Sequence, residues 1–293
     1  MAEAGLLLET LPERRRWRPR LVLRNHLVGV IGVGLLVFLG LVAIAAPVIA
    51  PDDPLSQDAP ALERPSLSHP FGTDRLGRDV FSRVVYGARI SLGIGFAAVS
   101  IGVLGGALLG VVSGYFSGWL DYLMQRLIEV IMAFPLLVLL LIMVAAVGAS
   151  MQNVILIIGV VMVPLMSRIV RAIVLAEKEL PYIDAARSLG ATDLRIVFLH
   201  LLPSVFPLLG ILASIALGGA IMAEAALSFL GLGVPPPNPA WGSDMSGNAR
   251  DYFQAAPWLA IFPGLALSLT ILGANLLAEA VRDVVDPFRQ GMR

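Results

Sequence analysis

Hydrophobic residues along this chain fall in long runs separated by short polar stretches. Residues 27–50, 90–112, 127–148, 153–170, 204–232 and 258–281 are each dominated by apolar side chains. A helix needs about 20 such residues to cross a hydrocarbon core of about 30 Å. The pattern therefore predicts an all-α integral membrane protein with six transmembrane helices. The intervening segments are a basic tail at 1–26, a proline-rich loop at 51–89, a short turn at 115–126, a polar stretch at 175–203, a second loop at 233–257 and a tail at 282–293. Within 51–89, Leu76, Val80, Arg83/Val84 and Gly87 recur at helical spacing and predict a short helix lying at the membrane interface. Trp119 and Tyr122 read as interface anchors, and Pro135 and Pro164 as kinks inside spans.

The polar stretch 175–203 has its own pattern of helix, tight turn, helix. Tyr182, Ala185/Ala186 and Leu189 form one apolar stripe, which Gly190 ends. Glycine takes the left-handed cap conformation at almost no cost, whereas another residue loses about 1–2 kcal/mol there. Thr192 caps the second helix, where Leu194, Val197, Phe198 and Leu201 repeat the stripe before Pro203. Asp184, Arg187, Asp193 and Arg195 lie between the stripes and are expected to face water. The result is a compact helical knob.

Composition sharpens the picture. The 293 residues are 57% hydrophobic and 14% charged, where soluble domains average about 25% charged. Net charge is zero, which gives no field for nucleic acid. The absence of cysteine removes disulfides, thiolate metal sites and cysteine nucleophiles. His26, His69 and His200 are far apart with no paired spacing, so no metal site is expected. Lys178 is the only lysine, and Glu177 precedes it, so the chain has no phosphate-cradling Gly-Lys pair and no ATPase motif. Any ATP-driven work belongs to a partner.

With the N-terminus inside the cell, the inner segments hold 15 of the 21 basic residues, against six in the two outer loops beside eight acids. The positive-inside rule then puts both termini and the knob in the cytoplasm. The run ahead of Ala43, Ile44 and Ala45 exceeds a signal-peptide core, so the first span is expected to stay as an anchor.

The knob also resembles a known pattern. Asp184, Ala185, Ala186, Gly190, Leu202 and Pro203 are similar to the EAA coupling loop of ABC importer permeases, with Asp for the usual Glu and His200 where that pattern has Ile. His69 to Asp74, Gly77 to Asp79, Leu227 to Gly233, Pro239 to Gly242 and Arg282 to Pro287 resemble signatures of the dipeptide, oligopeptide and nickel branch of the same family. The resemblance implies a type I ABC importer permease (MetI-like) architecture, with the knob as a cytoplasmic coupling helix. It implies a second homologous permease, two ABC ATPase subunits that carry the ATP and magnesium, and an extracytoplasmic solute-binding protein. Cargo would be a di- or oligopeptide, or alternatively glutathione or a nickel or other metal chelate. On that reading Asp184 and Arg187 make polar contacts with an ATPase groove, Ala185 and Ala186 keep the surface small, and Gly190 sets the angle.

Inside the apolar runs, Glu224 is the foremost polar candidate. A charge near the bilayer centre costs about 2.5–3.5 kcal/mol on insertion scales, so Glu224 either faces a pathway or partner, or sits wet near the outer end. Ser214, Met222 and Ser228 are further candidates for lining a pathway, and equally ordinary packing residues. Glu129, Asn275 and Glu279 read as interface groups. No catalytic set emerges. A secondary transporter is the rival class, but the chain has no convincing internal repeat and such a protein has no use for the knob.

Overall fold

The computed structural model describes residues 27–246 and 251–285. The basic tail at 1–26 and Asp286 and Pro287 of the last motif lie outside the described residues. Five helices there are long and apolar enough to cross a membrane, and a bent pair makes a sixth candidate. No extended strand forms among the described residues; Thr73 and Asp79 make one isolated bridge.

The first run folds as α1 (Leu27–Ile44) and, after a break at Ala45, the short α2 (Ala46–Ile49), with Pro47 in its first turn. An irregular loop leads to α3 (Val80–Phe116). Asp79 caps α3 by accepting from Ser82 N–H at 2.7 Å. The short interfacial helix expected before residue 89 is the first part of α3 itself, because no turn-forming residue interrupts the ladder once Asp79 has started it. Its 37 residues make a rod of about 55 Å, so both ends stand clear of a bilayer core.

A corner follows at Ser117 (φ 52°) and Gly118 (φ 70°), then α4 (Gly118–Met132) and α5 (Leu136–Val147). The expected single span over 127–148 is replaced by these two helices, whose axes meet at 92°. Pro135 is the reason. It has no N–H to continue α4, and it drives the residue before it away from helical geometry. α6 (Met151–Glu177) is capped by Ser150 and runs past the predicted residue 170.

The knob comprises α7 (Pro181–Ser188), α8 (Asp193–Ile196) and a π-helical turn, Val197–Leu201, that leads directly into α9 (Leu202–Phe229). Pro203 therefore opens α9 rather than ending a separate helix. It lacks the N–H that would bond residue 199, and the ladder just before it slips by one residue, with Leu202 N–H bonded to Val197 O. α10 (Trp241–Met245) lies in the second loop, and α11 (Trp258–Val285) is the last helix among the described residues and takes in the first residues of the expected tail.

Close approach of α3 to α6 organises the bundle. A Cβ on Gly106 would lie 2.3 Å from the Met166 Cβ, and one on Gly110 would lie 2.7 Å from the Ser167 carbonyl. The small-residue spacing of Gly102, Gly106 and Gly110 thus serves packing inside the chain, where small side chains let helices touch. α9 meets α3 where Ile221 lies over Gly95, and α1 meets α11 where Gly29 faces Ala280.

Candidate functional site

Each residue of the knob has an identifiable mount. α7 starts on Pro181 at its first turn and ends at Gly190, φ +83°. Ala191 N–H bonds Ala186 O at 3.0 Å and Gly190 N–H bonds Arg187 O at 2.9 Å, a Schellman ending. Thr192 then accepts from Arg195 N–H and starts α8. Ile183 and Ile196 are fully buried and pin the two short helices to the bundle. Tyr115, near the end of α3, donates to Asp193 Oδ1 at 2.6 Å, and the Arg187 guanidinium sits 5.9 Å above its ring. The lone lysine, Lys178, donates to Gly114 O at 3.0 Å and Ser117 Oγ at 2.6 Å. It thereby satisfies the C-terminal end of α3, where a cation is favoured.

The other face of the knob is open. Asp184 and Arg187 are exposed and joined by a loose 3.4 Å pair. Ala185 is exposed and Ala186 half-buried against the core. Leu189 is 88% and Leu194 68% exposed, so these members of the apolar stripes point outward; Leu201 of the second stripe is fully buried, as are Ile183 and Ile196 beside the stripes. Leu202 and Pro203 stand apart at the head of α9. His200 packs edge-on to Tyr182, with ring centroids 6.1 Å apart. The Tyr182 phenol donates to Glu177 Oε1 at 2.8 Å. Burial and that carboxylate push its pKa to about 12. Nearby, Arg171 grips Asp121 with two bonds of 2.6 and 2.5 Å, tying α6 to α4.

The opposite end of the bundle is built differently. Arg78 pairs with Asp74 through Nε at 2.6 Å, both buried. Arg83 on α3 pairs with Asp244 on α10 and donates to Pro54 O at 3.1 Å. Trp241, fully buried, donates to Val84 O at 2.9 Å and lies against Gly87. Trp258 donates to Thr73 O at 3.2 Å, and Phe71 stacks on Phe262. Sequence spacing had no way to show the Arg83–Asp244 pair, whose members are 161 residues apart.

The candidate pathway residues do not share one surface. Glu224 is fully buried on α9 and Oε1 accepts from Ser228 at 2.7 Å, while Ser228 Oγ accepts from Val234 N–H at 3.2 Å. Glu224 is therefore not wet; it holds the start of the second loop through one hydroxyl. Ser214 is buried and bonded to Gly210 O, whereas Met222 is 63% exposed. Among the described residues, one group has metal-type donors, Asp52, His69 and Asp79.

A bundle of apolar helices with an exposed, firmly mounted helical knob is the form of a transporter's membrane subunit. Residues 106–290 match the family of binding-protein-dependent transport system inner membrane components, and residues 14–70 match the N-terminal transmembrane domain of oligopeptide transport permease C. The chain belongs to this family, the permease subunits of ABC importers, and is a multi-pass membrane protein. Among its relatives is the dipeptide transport system permease protein DppC of Alkalihalophilus pseudofirmus, 39% identical over 90% of this chain and 87% of that one. The glutathione transport system permease protein GsiD of Pectobacterium atrosepticum is 42% identical over 96% of both. Among solved structures, the MetNI methionine ABC transporter in inward-facing conformations shares the fold, with TM-score 0.54 and 22% identity over 72% of this chain and 97% of that one.

Proposed function

We propose that this chain pairs with a second, homologous permease to enclose a pathway for di- or oligopeptides, driven by two ABC ATPase subunits that dock on α7. The observation that carries this reading is the knob: its inner side is anchored by Ile183, Ile196, Tyr115 and Lys178 while Asp184, Ala185, Arg187 and Leu189 are exposed. Such a handle transmits displacement to the spans without loosening from them. α7 faces the cytoplasm, and a solute-binding protein delivers cargo at the end that carries α10. The peptide assignment draws support from the dipeptide permease relative and the oligopeptide-permease match at residues 14–70. The glutathione permease relative favours a second cargo reading of the same type, a peptide-like thiol. ATP and magnesium stay on the ATPases, and this chain binds neither. A near-complete switch between inward- and outward-open states takes about 5.5 kcal/mol of differential binding, which nucleotide-driven closure delivers through α7.

Ala185→Arg tests the docking. Ala185 is exposed, so the variant folds and inserts while the added side chain blocks a close-fitting groove. Peptide uptake falls to background and the ATPases no longer co-purify. Uptake at the normal rate would rule out docking through α7. Uptake by cells lacking this chain, measured over dipeptides, longer peptides, glutathione and nickel chelates, assigns the cargo.

A further inference from the structure

The histidine and acids of the first loop are scattered in sequence, and the fold gathers three of them. Asp52, His69 and Asp79 each place one ligand-type atom within 4.8 Å of the other two. His69 Nδ1 is 3.3 Å from Asp79 Oδ1 and 3.8 Å from Asp52 Oδ2. Around a tetrahedral ion with bonds of about 2.0–2.2 Å, ligand atoms sit roughly 3.3–3.6 Å apart. The two separations from His69 Nδ1 fit that geometry to within a few tenths of an ångström, and the two aspartate oxygens lie within 4.8 Å of each other.

We propose that Asp52, His69 and Asp79 form a binding site for a divalent transition-metal ion of zinc type, held by His69 Nδ1 and one carboxylate oxygen from each aspartate. The site is built rather than incidental. Asp79 has a side chain 1% exposed, and its Oδ2 is engaged by Ser82 N–H at the start of α3. The helix cap thereby aims Oδ1 at the imidazole. His69 is fixed through its own backbone. Its N–H donates to Ser66 Oγ at 3.1 Å, and its carbonyl accepts from Ser66 N–H at 2.9 Å and Gly72 N–H at 2.8 Å. Its second ring nitrogen, Nε2, faces Glu63 Oε2 at 3.9 Å, the place of the carboxylate that orients a metal-bound imidazole. Asp52 is half-exposed and closes the site from the solvent side, leaving a fourth position for water. Two aspartates offset the charge of a divalent ion. The ion ties the chain after α2 to the start of α3, beside the Arg83 bond to Pro54 O.

The alternative for the same cluster is an ion pair of the imidazole with the carboxylates around it, Asp52, Glu63 and Asp79, and pH separates the two. Metal needs Nδ1 deprotonated, so a metal clamp tightens as pH rises through the histidine range, whereas an ion pair loosens.

The test uses the full chain in lipid nanodiscs, carried on an affinity tag without histidine and stripped with EDTA. Zinc sulfate is titrated against a chromophoric chelator at about pH 7.5 and about pH 5.5. The chain has no cysteine and only two other histidines, His26 and His200, so background binding is low. The expected result is one zinc per chain at the higher pH and about tenfold or more weaker binding at the lower. Asp52→Asn and His69→Gln each weaken binding about tenfold or more. Zinc slows amide exchange over residues 50–79 in the wild type and not in Asp52→Asn, a half-exposed change that leaves the α3 cap intact. Less than about 0.2 zinc per chain at about pH 7.5, or wild-type binding in both variants, overturns the proposal.

Discussion

The two ends of the bundle hold irregular chain against the same helix, α3, by opposite means. At the α10 end, charges are buried in pairs, Arg78 with Asp74 and Arg83 with Asp244, and an indole fills the space between loop and helix. At the α7 end, the knob itself is held by two isoleucines and a few hydrogen bonds, the pair Arg171–Asp121 ties α6 to α4 beside it, and the knob's own charged pair Asp184–Arg187 is left outside. Burying a charge pair makes the loss of one partner very costly, so the first end is locked in one arrangement. Apolar anchors with an exposed polar rim keep a surface fixed in place yet free for a partner.

The comparison breaks most visibly at Asp244. Asp244→Ala leaves the Arg83 guanidinium buried without its carboxylate and costs about 3–5 kcal/mol, so little folded chain is recovered from membranes. Pairing it with Arg83→Met restores much of that yield, as measured by the monodisperse fraction in mild detergent. Ile183→Ala comes next, at about 2–4 kcal/mol, but its effect is confined to the other end. Amide exchange quickens over α7 and α8 and stays slow over residues 234–245; equal quickening at both ends would erase the distinction. Glu224→Ala removes the acceptor for Ser228 and costs about 1–3 kcal/mol, while Glu224→Gln keeps Oε1 in place and costs less. The ordering of the two thermal midpoints checks this, and a cargo preference altered by Glu224→Gln alone would instead give the residue a pathway role. Smallest in stability is Arg187→Ala, within about 0.5 kcal/mol because its pair is exposed. If the ATPases dock on α7 as proposed, transport nevertheless falls, as an uptake assay would show.

Local devices were readable from the residues alone. Gly190 at positive φ, Thr192 as a helix cap and the glycines of α3 as contact points all depend on neighbours a few positions away or on a simple period. The long apolar runs likewise announced the membrane. The break at Pro135 was visible as a kink, but its 92° angle was not, because a proline fixes where a ladder stops and not where the next helix goes. The stripes of the knob left one point open for a related reason: apolar periodicity marks a face that avoids water without saying whether the covering surface belongs to the same chain. Arg83–Asp244 and the Asp52–His69–Asp79 group are assembled by loops that return from far along the sequence, so no spacing rule reaches them. Glu224 stood out as a charge in an apolar run, and its hydroxyl partner lies one helical turn on, a relation legible once the helix is granted.

The length of α3 has a mechanical consequence. One uninterrupted rod carries Arg83 and the Trp241 contact near one tip and Tyr115 and the Lys178 contact near the other. A stiff rod of about 55 Å pivoting by about 10° near one tip sweeps the other through roughly 10 Å, close to two helical turns. Under the proposed docking on α7, a small rotation imposed at the knob would arrive across the bilayer as a displacement the width of a peptide backbone and its side chains, with no need for a relay of rearranging contacts between.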